Sequence, residues 1–210
     1  MIRAILFDFG NVLMYTADHT PRWRWDDALG LARGTVARAV HNDDSWIAAQ
    51  TGAVTLADYW ADVADKLAIT PEQTRQLADD FYAGDVLEAD LVAAIRRWRE
   101  SGVRVGLLSN DSAALRPKLA QLGIVDLFDP LVISGEIGVM KPAPAAYRAV
   151  LDHWADLSPA GVVFIDDRQD NIDGARAVGM EAVHYPQVNR APSLIAHLDE
   201  LVGAEGAELR

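Results

Sequence analysis

A chain of 210 residues is long enough for one substantial core, or for a core domain carrying a smaller insert. Half of its residues are hydrophobic and 24% are charged, as in ordinary globular proteins, and a formal charge of −12 repels nucleic acid and anionic membranes. The absence of cysteine excludes disulfides, thiolate chemistry and Cys-ligated zinc, and no apolar run reaches the roughly 18 residues of a membrane span.

The first apolar run, in MIRAILFDFGNVL, is broken by Asp8 and reads as a strand, not a signal peptide, so a cytoplasmic protein is expected. An aspartate at a strand end can be a turn former or a catalytic carboxylate, and here Gly10 stands two residues later. From 17 to 87 there is no convincing strand pattern, only amphipathic helices, with Leu56, Tyr59, Trp60, Val63 and Leu67 on one stripe. Thr55 with Asp58 resembles a capping arrangement. In TPEQ (70–73) Thr70 can cap, Pro71 suits the first helical position and Gln73 can reach back. Trp23, Trp25, Trp46 and Trp60 all fall here, either filling a small bundle or, for one or two of them, facing a cleft. The segment reads as a helical cap inserted after strand one.

Next comes VRVGLLS (103–109), a strand delivering Ser109 and Asn110 to a helix expected from near Ser112, with Leu115, Leu119 and Leu122 at helical spacing. A hydroxyl and backbone donors at a helix start can hold an anion, although Ser and Asn are also ordinary helix-start residues. LVIS (131–134) is a third strand, followed by Lys141 and by Pro142, which is placed to begin a helix. Lys141 reads either as a solvated loop lysine or as a fixed cation between a nucleophilic carboxylate and a phosphoryl group. GVVFID (161–166) ends in the adjacent acids Asp166 and Asp167, which repel unless a positive group resolves them, and such hard oxygens suit magnesium. Asp170 can anchor Lys141, and Asn171 can brace the loop or cap the next helix. Either can equally be loop structure. EAVHY (181–185) is the last strand, and the terminal GAEGAELR reads as a frayed end.

Apolar strands alternating with helices predict an α/β fold with a parallel sheet covered on both faces. Right-handed crossovers then bring Asp8, Ser109, Asp166 and Lys141 to one sheet edge.

Four segments in order, DFGNVL at 8–13, LSN at 108–110, KP at 141–142 and DDRQDN at 166–171, resemble the signatures of the haloacid dehalogenase superfamily, in its group with an inserted helical cap. The form D-x-G-N-V resembles a branch that includes sugar-phosphate phosphatases. The resemblance spans nearly the whole chain. It implies a Rossmann-like α/β/α core over 1–16 and 88–204, a cap over 17–87 and a tail over 205–210. It further implies Asp8 as a nucleophile forming an aspartyl-phosphate, Ser109 and Asn110 on the phosphoryl group and Lys141 as the neutralising cation. Mg²⁺ would be held by Asp8, the Gly10 carbonyl, Asp166 and Asp167, with Asp170 and Asn171 in support.

Phosphatases of this superfamily usually carry a second Asp where this chain has Gly10. Loss of positioned proton transfer costs roughly 10²–10⁴-fold. His19 and Asp18 are candidates for supplying the proton. The expected activity is magnesium-dependent hydrolysis of a small phosphorylated metabolite, such as a sugar phosphate. A non-catalytic phosphate-binding protein would explain Gly10 most simply. A haloacid dehalogenase, whose halide leaves without a proton, fits Gly10 but not the acid pair. No P-loop or dinucleotide fingerprint occurs, and neither nucleic acid nor membrane is expected as a partner.

Overall fold

The computed structural model describes residues 2–42, 44–186 and 191–203. The expected tail over 205–210 lies outside them. Strand β1 (Ala4–Phe7) is wholly buried, and its side chains alternate between two apolar clusters: Ile5 and Phe7 point to one, Ala4 and Leu6 to the other. It therefore sits mid-sheet with both faces covered. Strand β2 (Met14–Thr16) follows, and then five helices: α1 (Thr20–Ala28), α2 (Thr35–Val40), α3 (Ser45–Gln50), α4 (Leu56–Leu67) and α5 (Pro71–Phe81). Strand β3 (Asp85–Leu87) leads back through α6 (Ala89–Glu100) to β4 (Arg104–Ser109), α7 (Leu115–Gln121) and β5 (Leu131–Ile133). The chain ends with α8 (Ser134–Ile137), α9 (Pro144–His153), β6 (Val162–Asp166), α10 (Gln169–Ala177), β7 (Glu181–His184) and α11 (Ala191–Gly203).

The main sheet runs in the order β5-β4-β1-β6-β7 with every pairing parallel. Residues of α6, α7 and α11 cover one face and those of α9 and α10 the other, which makes three layers. Winding runs outward from β1 through β4 to β5, then returns to β6 on the far side. The loops after β1 and β6 diverge there and leave a crevice at the carboxyl ends of the strands.

Helices α1–α5 close around a separate cluster that includes Val36, Val40, Tyr59, Val63, Leu77 and Phe81. On α4 the buried residues are Tyr59, Val63 and Leu67, while Leu56 is exposed and Trp60 half-buried. Both expected capping boxes form, Thr55 with Asp58 and Thr70 with Gln73, and the shorter carboxylate also reaches back, at 3.3 Å against 2.9 Å for the amide. Buried Asp26 fixes the α1–α2 turn, accepting from the Gly34 N–H at 2.7 Å and the Val36 N–H at 2.8 Å. Trp25 is buried and donates to Asp80; Trp46 and Trp60 both lean on Tyr59, and Trp23 is exposed.

Three expectations are corrected. The stretch read as strand-free contains β3, which pairs antiparallel with β2. Helix α7 begins at Leu115 rather than near Ser112, after a turn closed by the Leu115 N–H on the Ser112 carbonyl, and Leu122 lies exposed beyond its end. Helix α9 begins at Pro144, because Pro144 holds Ala143 extended and so separates Pro142 from the helix.

Candidate active site

The site is assembled at the crevice between β1 and β6. The Asp8 N–H bonds to the Ile165 carbonyl at 2.9 Å, carrying the ladder one residue past β1 and fixing the carboxylate at the edge. The chain then turns sharply. The Leu13 and Met14 N–H groups both reach the Phe9 carbonyl, and Asn11 takes a left-handed conformation at φ 55°, which Asn tolerates better than most residues. Exposed Gly10 lies within this turn and bridges to Met14.

Lys141 lies at the centre. Its buried Nζ is 2.8 Å from Asp8 Oδ1 and 2.7 Å from Asp166 Oδ2. Asp166 is fully buried and takes further donors: the Arg168 N–H at 2.8 Å, and Asn171 Nδ2 at 3.0 Å from each carboxylate oxygen. Asn171 is held from behind by the Tyr147 hydroxyl, which donates to its carbonyl at 2.7 Å. Asp167 accepts from Asn11 Nδ2 at 3.0 Å. Asn110 clamps the Lys141 main chain twice, donating from Nδ2 to the Lys141 carbonyl and accepting its N–H on Oδ1, both at 2.8 Å. Ser109 is the buried last residue of β4.

The electrostatics are unbalanced. Oxygens of Asp8, Asp166 and Asp167 lie within 4.8 Å of one another, and Lys141 is the cation placed among them. Burial pushes the Asp8 carboxyl up to about 7, with Lys141 opposing and Asp166 adding to the rise. Burial also raises Asp167. When all three are ionised, the carboxylates against one lysine leave a net charge of two negatives, and among the described residues the buried Asn171 Oδ1 has no donor. An all-oxygen donor set of that charge fits a hard divalent cation.

One sequence expectation changes, and another is decided between its two alternatives. Asp170 does not anchor Lys141: the Arg168 guanidinium, two residues away, takes it at 3.1 and 2.7 Å. Asn171 braces the acid loop through Asp166 and does not cap α10, which lacks a side-chain cap. Neither His19 nor Asp18 joins the carboxylate cluster. His19 is exposed and stacks on Trp23, while Asp18 accepts the Thr20 N–H at 2.8 Å. Hydrogen bonds from Thr20 hold the Asp18 carboxyl below its ordinary range. Sequence reasoning missed Asn11, whose signal was an amide beside a glycine in the turn after Asp8. It also missed the roles of Tyr147, which lies in no quoted motif, and of Arg168, which lies inside DDRQDN, because both depend on partners that only the fold supplies.

Residues 2–179 match the haloacid dehalogenase-like hydrolase family. A phosphatase of Mycobacterium tuberculosis is 29% identical over 143 residues, covering 67% of this chain and 64% of its own length. Drimenol cyclase of Aspergillus calidoustus is 28% identical over 194 residues, 88% of this chain, which spans only 34% of that protein. A phosphoglycolate phosphatase of Yersinia pseudotuberculosis is 26% identical over 232 residues, covering 98% of this chain and 94% of its own. Among solved structures, a HAD family enzyme of Bacteroides thetaiotaomicron, in complex with magnesium and inorganic phosphate, superposes with a TM-score of 0.76 at 19% identity, covering 92% of this chain and 99% of its own, and so shares the fold. With 178 consecutive residues matched, from 2 to 179, and the carboxylate–lysine cluster seated at the switch between β1 and β6, the chain belongs to the haloacid dehalogenase-like hydrolases.

Proposed function

We propose that this protein is a magnesium-dependent phosphatase of the helical-cap group that hydrolyses a small phosphomonoester, a sugar phosphate foremost, in the cytoplasm. The observation that carries the reading is Lys141 Nζ lying between Asp8 and Asp166, with Asp167 beside them. Relatives named as phosphatases and the magnesium and phosphate in the Bacteroides enzyme support it.

In this mechanism an Asp8 oxygen attacks phosphorus, the P–O bond to the leaving alcohol breaks, and the resulting aspartyl-phosphate is cleaved by water. Lys141 fixes the nucleophile's orientation and offsets charge as the phosphoryl group approaches. The Ser109 hydroxyl and the backbone N–H groups that follow it hold phosphoryl oxygens. The Asn110 side chain is taken up by Lys141, leaving Asn110 its main chain for substrate. Magnesium, held by Asp8, the Gly10 carbonyl, Asp166 and Asp167, would supply neutralisation of the phosphoryl oxygens. Asn171 keeps Asp166 aimed, and Asp170 steadies Arg168 at the rim. His19 is the better candidate for the leaving-group proton, because Asp18 is held ionised by its bonds to Thr20.

The test is release of phosphate from p-nitrophenyl phosphate and a panel of sugar phosphates, with and without Mg²⁺, beside Asp8→Asn. Turnover should need the metal and fall by more than about 10³-fold in the variant. A wild type that binds phosphate with Mg²⁺ yet turns over no ester would instead be a binding protein.

A further inference from the structure

Gln50 closes α3 in the cap, yet its side chain reaches the core. It is buried, and its Nε2 donates to the Asn110 carbonyl at 2.6 Å. Asn110 is the residue whose amide clamps the main chain of Lys141 on both sides. A continuous line of hydrogen bonds thus runs from a cap helix through Asn110 to Lys141, and from Lys141 to both Asp8 and Asp166.

The docking that brings Gln50 there is close. Gly52 has φ 69°, and a Cβ on it would lie 2.6 Å from the Gly135 carbonyl oxygen. A Cβ on Gly135 would in turn meet the Ala113 nitrogen at 2.8 Å and the Asp111 oxygen at 2.9 Å. Backbone from the cap, from the loop after β4 and from α8 therefore interlocks without side chains between. A cap lifted by even a small amount would take Gln50 out of reach of Asn110, because a hydrogen bond is lost within a few tenths of an ångström beyond its normal range.

We infer that Gln50 is a positioning residue through which the docked cap fixes Asn110, and so places Lys141 for the reaction. The inference rests on the phosphatase reading only for its kinetic readout. With the cap down, the Asn110 carbonyl is held by the amide of Gln50 and the Asn110 side chain is set to grip Lys141. With the cap raised, that loop loses one of its ties, and Lys141 is held less firmly between the two carboxylates. Gln50 touches none of the reacting atoms in this scheme; it acts through Asn110.

Two variants of similar volume separate this role from packing. Gln50→Met has no donor at any pH. Gln50→Glu has none as a carboxylate but regains an O–H donor when protonated, and burial brings that protonation up into the mildly acidic range. With p-nitrophenyl phosphate and Mg²⁺, Gln50→Met should lose about 10-fold in kcat, the worth of one buried hydrogen bond, with KM within about twofold. The Gln50→Glu to wild-type ratio should climb as pH falls from 8 to 5, while the Gln50→Met ratio stays flat. Asp111, pushed up to about 6 by burial on the same loop, cancels in the Gln50→Met ratio but couples to a carboxyl at position 50, so the Gln50→Glu ratio is also measured in an Asp111→Asn background, where the same climb is expected. In parallel, NMR hydrogen exchange at the Lys141 N–H, which needs no substrate, should be faster in Gln50→Met than in the wild type.

If the wild type turns over no phosphate ester, the functional reading fails, and the exchange rate at Lys141 alone decides this one. Unchanged exchange there overturns the inference, as does a Gln50→Glu that follows Gln50→Met at every pH.

Discussion

Gly10 has room for a carboxylate. A Cβ built on it meets nothing within 4 Å, and its φ lies outside the left-handed region that favours glycine. Gly10→Asp should therefore fold normally. If proton delivery limits the wild type, the variant should raise kcat on alkyl phosphates by at least about 10-fold while leaving aryl phosphates nearly unchanged, since a phenolate leaves without a proton. No gain on alkyl phosphates would show that the missing acid is already replaced, and equal gains on both esters would show that the variant acts otherwise than by protonating the leaving group. Asp111 offers a second test at single-residue scale. Burial pushes its carboxyl up to about 6, against hydrogen bonds from Ser112 and the charge of Lys118. The folded chain thus holds that proton more tightly than the unfolded chain. Its contribution is fully present below the ordinary value of 3.8 and is lost as pH rises through about 6. Asp111→Asn should stabilise the protein by about 1–3 kcal/mol at pH 8 in denaturant melts, with the gain shrinking toward pH 4. A gain independent of pH would mean that the carboxyl is not strained by burial.

Helices α4 and α5 show which signals a sequence carries openly. Their capping boxes use residues three apart, so the local text contained both partners. Thr70→Ala should cost about 1 kcal/mol, measured as a fall in Tm, because the Gln73 N–H at the first turn loses its acceptor. The β2–β3 pair was illegible for the opposite reason. Each strand has three residues, none in an alternating pattern, and Thr16 meets Asp85 across 69 positions. The site divides in the same way. Asp8, Ser109 and Asp166 were readable as polar residues ending apolar strands. The grip of Asn110 on Lys141 was not, because it spans 31 positions, and the Arg168–Asp170 pair, though only two residues apart, follows no recurrent pattern such as a capping box. The start of α9 could have been read: two prolines, at 142 and 144, compete for the first turn, and the second one decides it.

For the whole molecule, metal binding should register as stability. A ligand that binds only the folded chain adds about 2.7 kcal/mol at one hundred times its Kd, so Mg²⁺ should raise Tm and excess chelator should reverse the rise. Asp167→Asn is the suitable control, because Asp167 is the least buried of the three acids and its loss does not strip Lys141 of a partner. A Tm rise unchanged in Asp167→Asn would remove the Asp167 charge from the set that holds the ion. The β2–β3 ribbon also makes the molecule modular. The chain leaves the core at Thr16 and re-enters at Asp85, and these two residues stand opposite each other in one antiparallel register. Everything between them hangs from a socket whose two contacts are already side by side. The apolar cluster of α1–α5 shares no residue with the two clusters that sandwich the main sheet. Another helical unit with adjacent ends could be spliced into that socket without disturbing a strand of the catalytic sheet, exchanging the roof of the site while its floor stays the same.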